Sequence, residues 1–249
     1  MVEEFIARLK IFIPLDAGFS TRFLHKLTLR CEVDDWNVHF VEVLTYLIGN
    51  GANPFRSIGG TVAFKLFLDK YDSDLAERLM FSVTTFLEEH LKLENILNDV
   101  IKVLPTIIFE RHSGHYSSIK ELMVGNCLNM IKINPALCNH VDDEGKTPLH
   151  NLLEKLLVDA SWKRSPDLIE GTDSLWNLMY KLITEKNVNM ADKDQVIPFS
   201  WFLFWQESVM SCDVKNKQKL RIKIEDIKKQ FQEKGASEEN AMRLLNILR

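Results

Sequence analysis

Three groups of residues are of types that could do chemistry. His112, His115, Cys127, Cys138 and His140 carry imidazole and thiol groups within thirty positions. Zinc asks for four such donors converging tetrahedrally. His112-x-x-His115 surrounds Gly114, Cys138-x-His140 precedes a turn, and neither has a finger spacing, so buried thiols and ordinary histidines are expected and no metal is assigned. Thr147 and His150 could pair as hydroxyl and base, but no G-x-S-x-G and no phosphate-binding glycine loop accompanies them. Asp142, Asp143 and Glu144 could serve acid–base chemistry, yet no nucleophile stands nearby in the sequence, and a solvated turn tip is the expected role. No catalytic residue and no cofactor is expected.

The elements that hold these residues are more informative. In Asp143–Leu157 (DEGKTPLHNLLEKLL) Gly145 suits a tight turn with positive φ. The Thr147 hydroxyl can accept an orphan amide of a helix first turn. Pro148 at the first helical position loses no hydrogen bond and has its φ already set. Leu149, Leu152, Leu153, Leu156 and Leu157 then repeat at helical spacing. The residues predict a turn over Asp142–Lys146 and a helix over Thr147–Val158.

Gly145, Lys146, Thr147, Pro148, Leu149 and His150 together resemble the G-x-T-P-L-H signature of ankyrin repeats, with Asp142–Gly145 similar to the D-x-x-G that precedes it. The repeat is about 33 residues long, a turn and two helices. Its second-helix ending, roughly L-L-x-x-G-A-x-x-N, is approached by Tyr46–Pro54, by Met130–Asn139 and by Leu182–Asp194, with Asn187 and Val188 where Gly-Ala is usual. Turn and helix starts follow at Gly60–Phe64, at the TPLH itself and at Val196–Ser200. Leu24-His25 is similar to a degenerate Leu-His of an earlier unit. The spacings are irregular. Thr147 and Ile197 are 50 positions apart, and 86 separate Thr61 from Thr147, which implies insertions near 94–116 and 158–173.

The expected fold is therefore all-α: a helical-repeat solenoid of four or five ankyrin-like helix-turn-helix units over residues 1–212, with finger loops, followed by a charged helical cap or extension over 213–249. Stretches such as Val38–Ile48 and Leu175–Ile183 are apolar around most of their circumference, as helices pressed between neighbours are. An irregular bundle or another helical array is the alternative fold. In the last segment Leu220, Ile224, Ile227 and Phe231 make a narrow seam on a Lys-rich helix. Ser237 can cap a final helix with Met242, Leu244, Leu245 and Leu248 on one face.

The resemblance implies a non-enzymatic adaptor that binds another protein through fingers and the first helices beside them. The structural set is Gly145, Thr147, Pro148, Leu149 and His150. The expected contact residues are Pro54, Phe55, Arg56 and Ser57; Asp142, Asp143, Glu144 and Lys146; and Asp192, Lys193 and Asp194. Two other readings are weighed. One is a basic C-terminal helix contacting nucleic acid or an acidic partner; the formal charge of −4 counts against nucleic acid. The other is an enzyme with an unrecognised site.

The 46% hydrophobic content supplies ample core material. The first residues hold Glu3 and Glu4 and no long apolar run, unlike a signal peptide. Val2, Phe5, Ile6 and Leu9 have helical spacing. The apolar block Val196–Trp205 is about half a membrane span and contains Pro198. Four cysteines without C-x-x-C fit buried thiols in a reducing compartment. Cytoplasmic or nuclear residence is the expectation, with no membrane partner.

Overall fold

Helices begin where a side chain or a proline serves the first turn, and end where glycine or asparagine turns the chain. The computed structural model describes all residues except 1–3, 5–6, 8–16, 31–36, 71–72, 92, 94, 110–116, 159–172, 212–216 and 249. The described residues are overwhelmingly helical. In order they form α1 (Ala17–Arg30), α2 (Asn37–Gly49), the strands β1 (Ser57–Ile58) and β2 (Thr61–Val62), α3 (Ala63–Lys70), α4 (Ser73–Glu89), α5 (Ile96–Phe109), α6 (Ser117–Ile133), a 3-10 turn (Pro135–Asn139), α7 (Pro148–Val158), α8 (Asp173–Leu182), α9 (Pro198–Ser211), α10 (Lys217–Glu233) and α11 (Glu238–Leu248). Among them no helix is long and apolar enough to cross a membrane.

The chain divides into two compact units: Met1–Val103 with Ser113–Ile119, and Leu104–His112 with Lys120–Arg249. The division falls inside α5 and α6, not at residue 213. Residues after Cys212 belong to the body of the second unit. The stretch expected as an insertion near 94–116 contains α5, so much of it is regular helix. The expected insertion at 158–173, the N-terminal Val2–Leu9 pattern, Cys31, Cys212, His112 and His115 lie outside the described residues wholly or nearly so.

In the first unit α1 packs on α2 and on α3, α2 packs on α4, and α3 packs on α4. The core is Leu24, Phe40, Leu44, Leu47, Phe64, Phe67, Leu79, Val83 and Phe86, all almost fully enclosed. Phe40, Val41, Val43, Leu44, Leu47 and Ile48 are buried together on α2 because that helix has neighbours on several sides. Between α2 and α3 the chain forms the one pair of strands among the described residues. It is an antiparallel hairpin with Ile58 opposite Thr61, turned by Gly59 and Gly60 at φ 60° and 79°. Two consecutive positive φ values are what a two-residue hairpin turn needs and what glycine supplies without strain.

In the second unit α7 packs on α8 and α9, α8 packs on α10, and α9 packs on α10 and α11. Aromatic rings join α8, α9 and α10. Phe199 stacks on Phe231 at 4.8 Å, Phe202 meets Phe231 at 5.3 Å, and Trp205 meets Trp176 at 5.7 Å. The predicted seam of α10 is buried: Leu220, Ile224, Ile227 and Phe231 are each at most 3% exposed. Met242, by contrast, is 38% exposed and Ala241 carries the buried face of α11. The side chains of Leu244, Leu245 and Leu248 lie outside the described set.

α2 and α10 end alike. Gly51 N–H donates to Ile48 O at 3.0 Å and Ala52 N–H to Leu47 O at 3.1 Å; Gly235 N–H donates to Gln232 O at 2.9 Å and Ala236 N–H to Phe231 O at 3.0 Å. Both glycines have φ near 90°. This pair of bonds satisfies the last helical carbonyls and needs a left-handed residue, hence glycine.

Candidate functional site

The stretch Asp143–Leu157 folds as its residues predict, into a turn and a helix held by one histidine. Helix α7 starts at Pro148 with Thr147 before it. His150 N–H donates to Thr147 Oγ1 at 3.4 Å, and in return Thr147 N–H donates to His150 Nδ1 at 3.1 Å. This is a capping box with imidazole in the place of the usual carboxylate. Thr147 O–H also donates to Nδ1, at 2.8 Å. With Nδ1 the acceptor, Nε2 carries the proton and donates to Val196 O at 3.1 Å. One neutral ring thus closes the start of its own helix and holds the next turn in the chain. Burial, first of all, pushes this imidazole below its ordinary value; Lys146 adds to that, and the Val196 and Met190 carbonyls and Asp192 work against it. A ring with both nitrogens committed is not a free base for catalysis.

The turn itself is built by Asp142. Its backbone N–H donates to Lys146 O at 3.0 Å, and Gly145 N–H donates back to Asp142 O at 2.9 Å. Its Oδ1 accepts from Glu144 N–H and Lys146 N–H, both at 2.9 Å, and its Oδ2 accepts from Asn151 Nδ2 at 3.0 Å. Fifty residues on, Asp192 repeats the arrangement. Asp192 N–H donates to Val196 O at 3.0 Å, and Oδ1 accepts from Asp194 N–H at 3.0 Å and Val196 N–H at 2.9 Å. The left-handed residue is Gly145 in the first turn, at φ 75°, and Gln195 in the second, at φ 63°. The two turns touch: Lys193 N–H donates to Glu144 O at 3.1 Å. A Cβ on Gly145 would lie 3.4 Å from Lys193 N, so glycine also permits the approach.

The repetition fails at one atom. Where Asn151 serves Asp142 Oδ2, the second turn has Trp201. Asp192 Oδ2 and Trp201 Nε1 are both enclosed without a hydrogen-bond partner among the described residues.

Lys146 is only 6% exposed, with Nζ at 3.0 Å from both Glu144 and Glu154. Burial works against its charge, but the two carboxylates outweigh that and hold the ammonium above its ordinary value. Asn187 does comparable work between turns. Its Nδ2 donates to Cys138 O at 2.9 Å and to Leu182 O at 2.8 Å, and its Oδ1 accepts from Thr184 N–H at 3.0 Å.

In the first unit the corresponding turn is the hairpin. Asn53 N–H donates to Thr21 Oγ1 at 3.0 Å, its Nδ2 to Asp99 Oδ2 at 2.8 Å, and its Oδ1 accepts from Phe55 N–H at 2.9 Å. Thr61 O–H donates to Ile58 O at 3.0 Å, which leaves its oxygen to accept from His25 Nε2. His25 on α1 therefore reaches the base of the following turn, as His150 does from α7. The shared Leu-His dipeptide is the sequence signal for this.

Several expected contact residues are not on the surface. Phe55 packs on Phe64 at 5.1 Å and is 1% exposed; Pro54 is buried beside it. Lys146 and Asp192 are buried in the bonds just described, and Asp142 is half-buried with its carboxylate fully engaged. These five hold turns in shape. The exposed members are Arg56, Ser57, Asp143, Glu144, Lys193 and Asp194.

Cys127 and Cys138 are buried, and desolvation pushes their thiols up to about 12 and about 11. Among the described residues no three of His, Cys, Asp and Glu gather as a metal site would require. Three cations of the Lys-rich helix α10 and the lysine just after it are spent on carboxylates: Lys223 on Asp173, Lys228 on Glu238, Lys229 on Glu233 and Lys234 on Glu185.

These features define a helical protein whose turns are tied by hydrogen bonds. No family model, curated protein or solved structure matches the chain.

Proposed function

We propose that the chain is a non-enzymatic protein-recognition module, a solenoid of divergent ankyrin-like helix pairs that binds a partner protein through its turn tips and the first helices beside them. The observation that carries the reading is the recurrence of one turn at Asp142 and Asp192, with the same four hydrogen bonds at each aspartate and the two turns cross-linked through Lys193 and Glu144. The packing order supports it. In the first unit α1 lies on α3 and α2 on α4; in the second α7 lies on α9 and α8 on α10. First helices stack on first helices and second on second, as in a row of helix pairs. By this pattern α9 and α10 are another pair rather than a body and its cap.

Tips tied this closely lose little freedom on binding, which favours recognition by a preformed surface. The cleft beside α8 and α10, about 400 Å³, has Lys223, Asp226, Lys229 and Glu233 in its wall and no histidine. The ion pairs along α10 leave less free positive charge for nucleic acid than its composition suggests.

The test is affinity capture with Asp143→Lys and with Lys193→Glu/Asp194→Lys. These side chains are exposed, so far-UV circular dichroism and the melting temperature should stay as in the parent while the captured set changes. An unfolded variant, or an unchanged captured set for both, refutes the reading.

A further inference from the structure

We infer that the first unit carries an anion-recognition cleft for a phosphorylated side chain of the partner protein, built from Arg22, Arg56, Ser57 and His90. The assignment rests on the reading of the chain as a protein-recognition module and names the chemistry of one of its contacts. The cleft measures about 490 Å³ and lies between the start of α1, the Gly51 turn, the hairpin and the residues that follow α4. That is within the range of pockets that take a ligand with several groups.

The lining is one-sided in charge. Arg22 comes from α1, Arg56 and Ser57 from the hairpin and His90 from beyond α4, and no carboxylate is among the described lining residues. Arg56 is exposed and has no hydrogen bond or ion pair among the described residues. Arg22 is also exposed and is engaged within the fold as well. Asp99 accepts from Asn53, one of the lining residues.

The walls are preformed. All the polar atoms of the Asn53 side chain are used, on Asp99 and Phe55 N–H, and its own N–H is held by Thr21. His90 is fixed twice. Its Nδ1–H donates to Phe86 O at 3.0 Å, and its ring stacks on Phe86 at 4.5 Å. This turns Nε2 away from Phe86 and toward Gly51, where an added Cβ would sit 3.5 Å from it. Gly51, at φ 89°, thus serves the α2 terminus and keeps the imidazole edge uncovered.

The donors exceed the acceptors. Two guanidiniums, the Ser57 hydroxyl and a ring nitrogen that donates once protonated suit a group with several charged oxygens. Phosphate presents three oxygens and nearly two charges, and guanidinium meets it with paired N–H bonds. Ile58 and the part-exposed Leu93 make an apolar shoulder for the carbon chain that carries the phosphate. Arginine clusters of this kind read phosphorylated motifs.

The experiment uses the full chain. Amide spectra are recorded during titration with a degenerate nonapeptide library centred on phosphoserine, its serine counterpart, and inorganic phosphate. The phosphopeptides should shift the amides of Gly51, Arg56, Ser57 and His90 and bind at least ten-fold more tightly than either control. Arg56→Gln should lose at least ten-fold and Arg56→Lys should recover part of it. Absent shifts, shifts elsewhere, equal binding to the serine library, or indifference to Arg56→Gln overturns the assignment. Inorganic phosphate binding as tightly as the phosphopeptides also overturns it and marks a free-anion site. Titration of Asp143→Lys separates the two readings. Its phosphopeptide shifts should match the parent's whatever the capture experiment returns, and their loss would count against the cleft.

Discussion

Lowering the pH should weaken the second unit through His150 in particular. The folded ring must be neutral, with its proton on Nε2, because Nδ1 accepts from both Thr147 N–H and Thr147 O–H. A proton on Nδ1 would oppose donor to donor at a buried site, in line with the downward push that burial gives this group. The unfolded imidazole takes up a proton as pH falls below about 6.5 and the folded one resists. The unfolded state then binds more protons, so stability is complete above that pH and declines below it. While the folded ring holds out, the slope is at most about 1.4 kcal/mol per pH unit, and a drop from pH 7.5 to 5.5 costs at most about 1.4 kcal/mol. Urea unfolding followed by tryptophan fluorescence, at both pH values and fixed ionic strength, measures this in the parent and in His150→Gln. Gln should cost about 2–3 kcal/mol at pH 7.5, from polar groups left without their partner. Carboxylate contributions are common to both proteins and cancel in the comparison. The parent should lose more than the variant, by up to about 1.4 kcal/mol. Equal losses, or a His150 titration midpoint at or above 6.5 by NMR, would refute the assigned tautomer and bonding.

Other outcomes follow from the same turns. Gly145→Val should cost at least about 2 kcal/mol, since a branched residue in the left-handed region adds about 1–2 kcal/mol before any crowding of Lys193; Gln195→Gly, at the matching position, should stabilise by up to about 1 kcal/mol, read as a rise in urea midpoint. Asn151→Ala should cost roughly 1–3 kcal/mol by stripping a partner from Asp142 Oδ2, measured by the same titration. Cys127 and Cys138 should escape alkylation in the native protein at pH 8 and be labelled in urea, by peptide mass spectrometry, because their thiols are enclosed and held well above the ordinary range.

The local chemistry of Gly145, Thr147, Pro148 and His150 was sufficient to predict a turn and a helix start, because the bonds that form those two features join residues within four positions of each other. The helical character of the chain was legible for the same reason: apolar spacing and capping are short-range. The seam of α10 was also legible as a stripe, but not as a stripe packed on α8 and α9, since a stripe does not name its neighbour. Gly235-Ala236 repeats the Gly51-Ala52 ending of α2, and the two bonds that each pair makes were visible only in the structure.

Burial was decided by tertiary structure alone. Lys146 and Asp192 have the composition of exposed turn residues, yet a carboxylate eight positions away encloses one and backbone amides enclose the other. Phe55 looked like a tip and became core when Phe64 folded over it. The cleft of Arg22, Arg56 and His90 draws on segments up to 68 positions apart, and no spacing rule spans that distance. Sequence determines what each short segment prefers, since those energies are local. Which side chains meet water depends on which segments meet each other, and that is settled only when helices far apart in the chain share one surface.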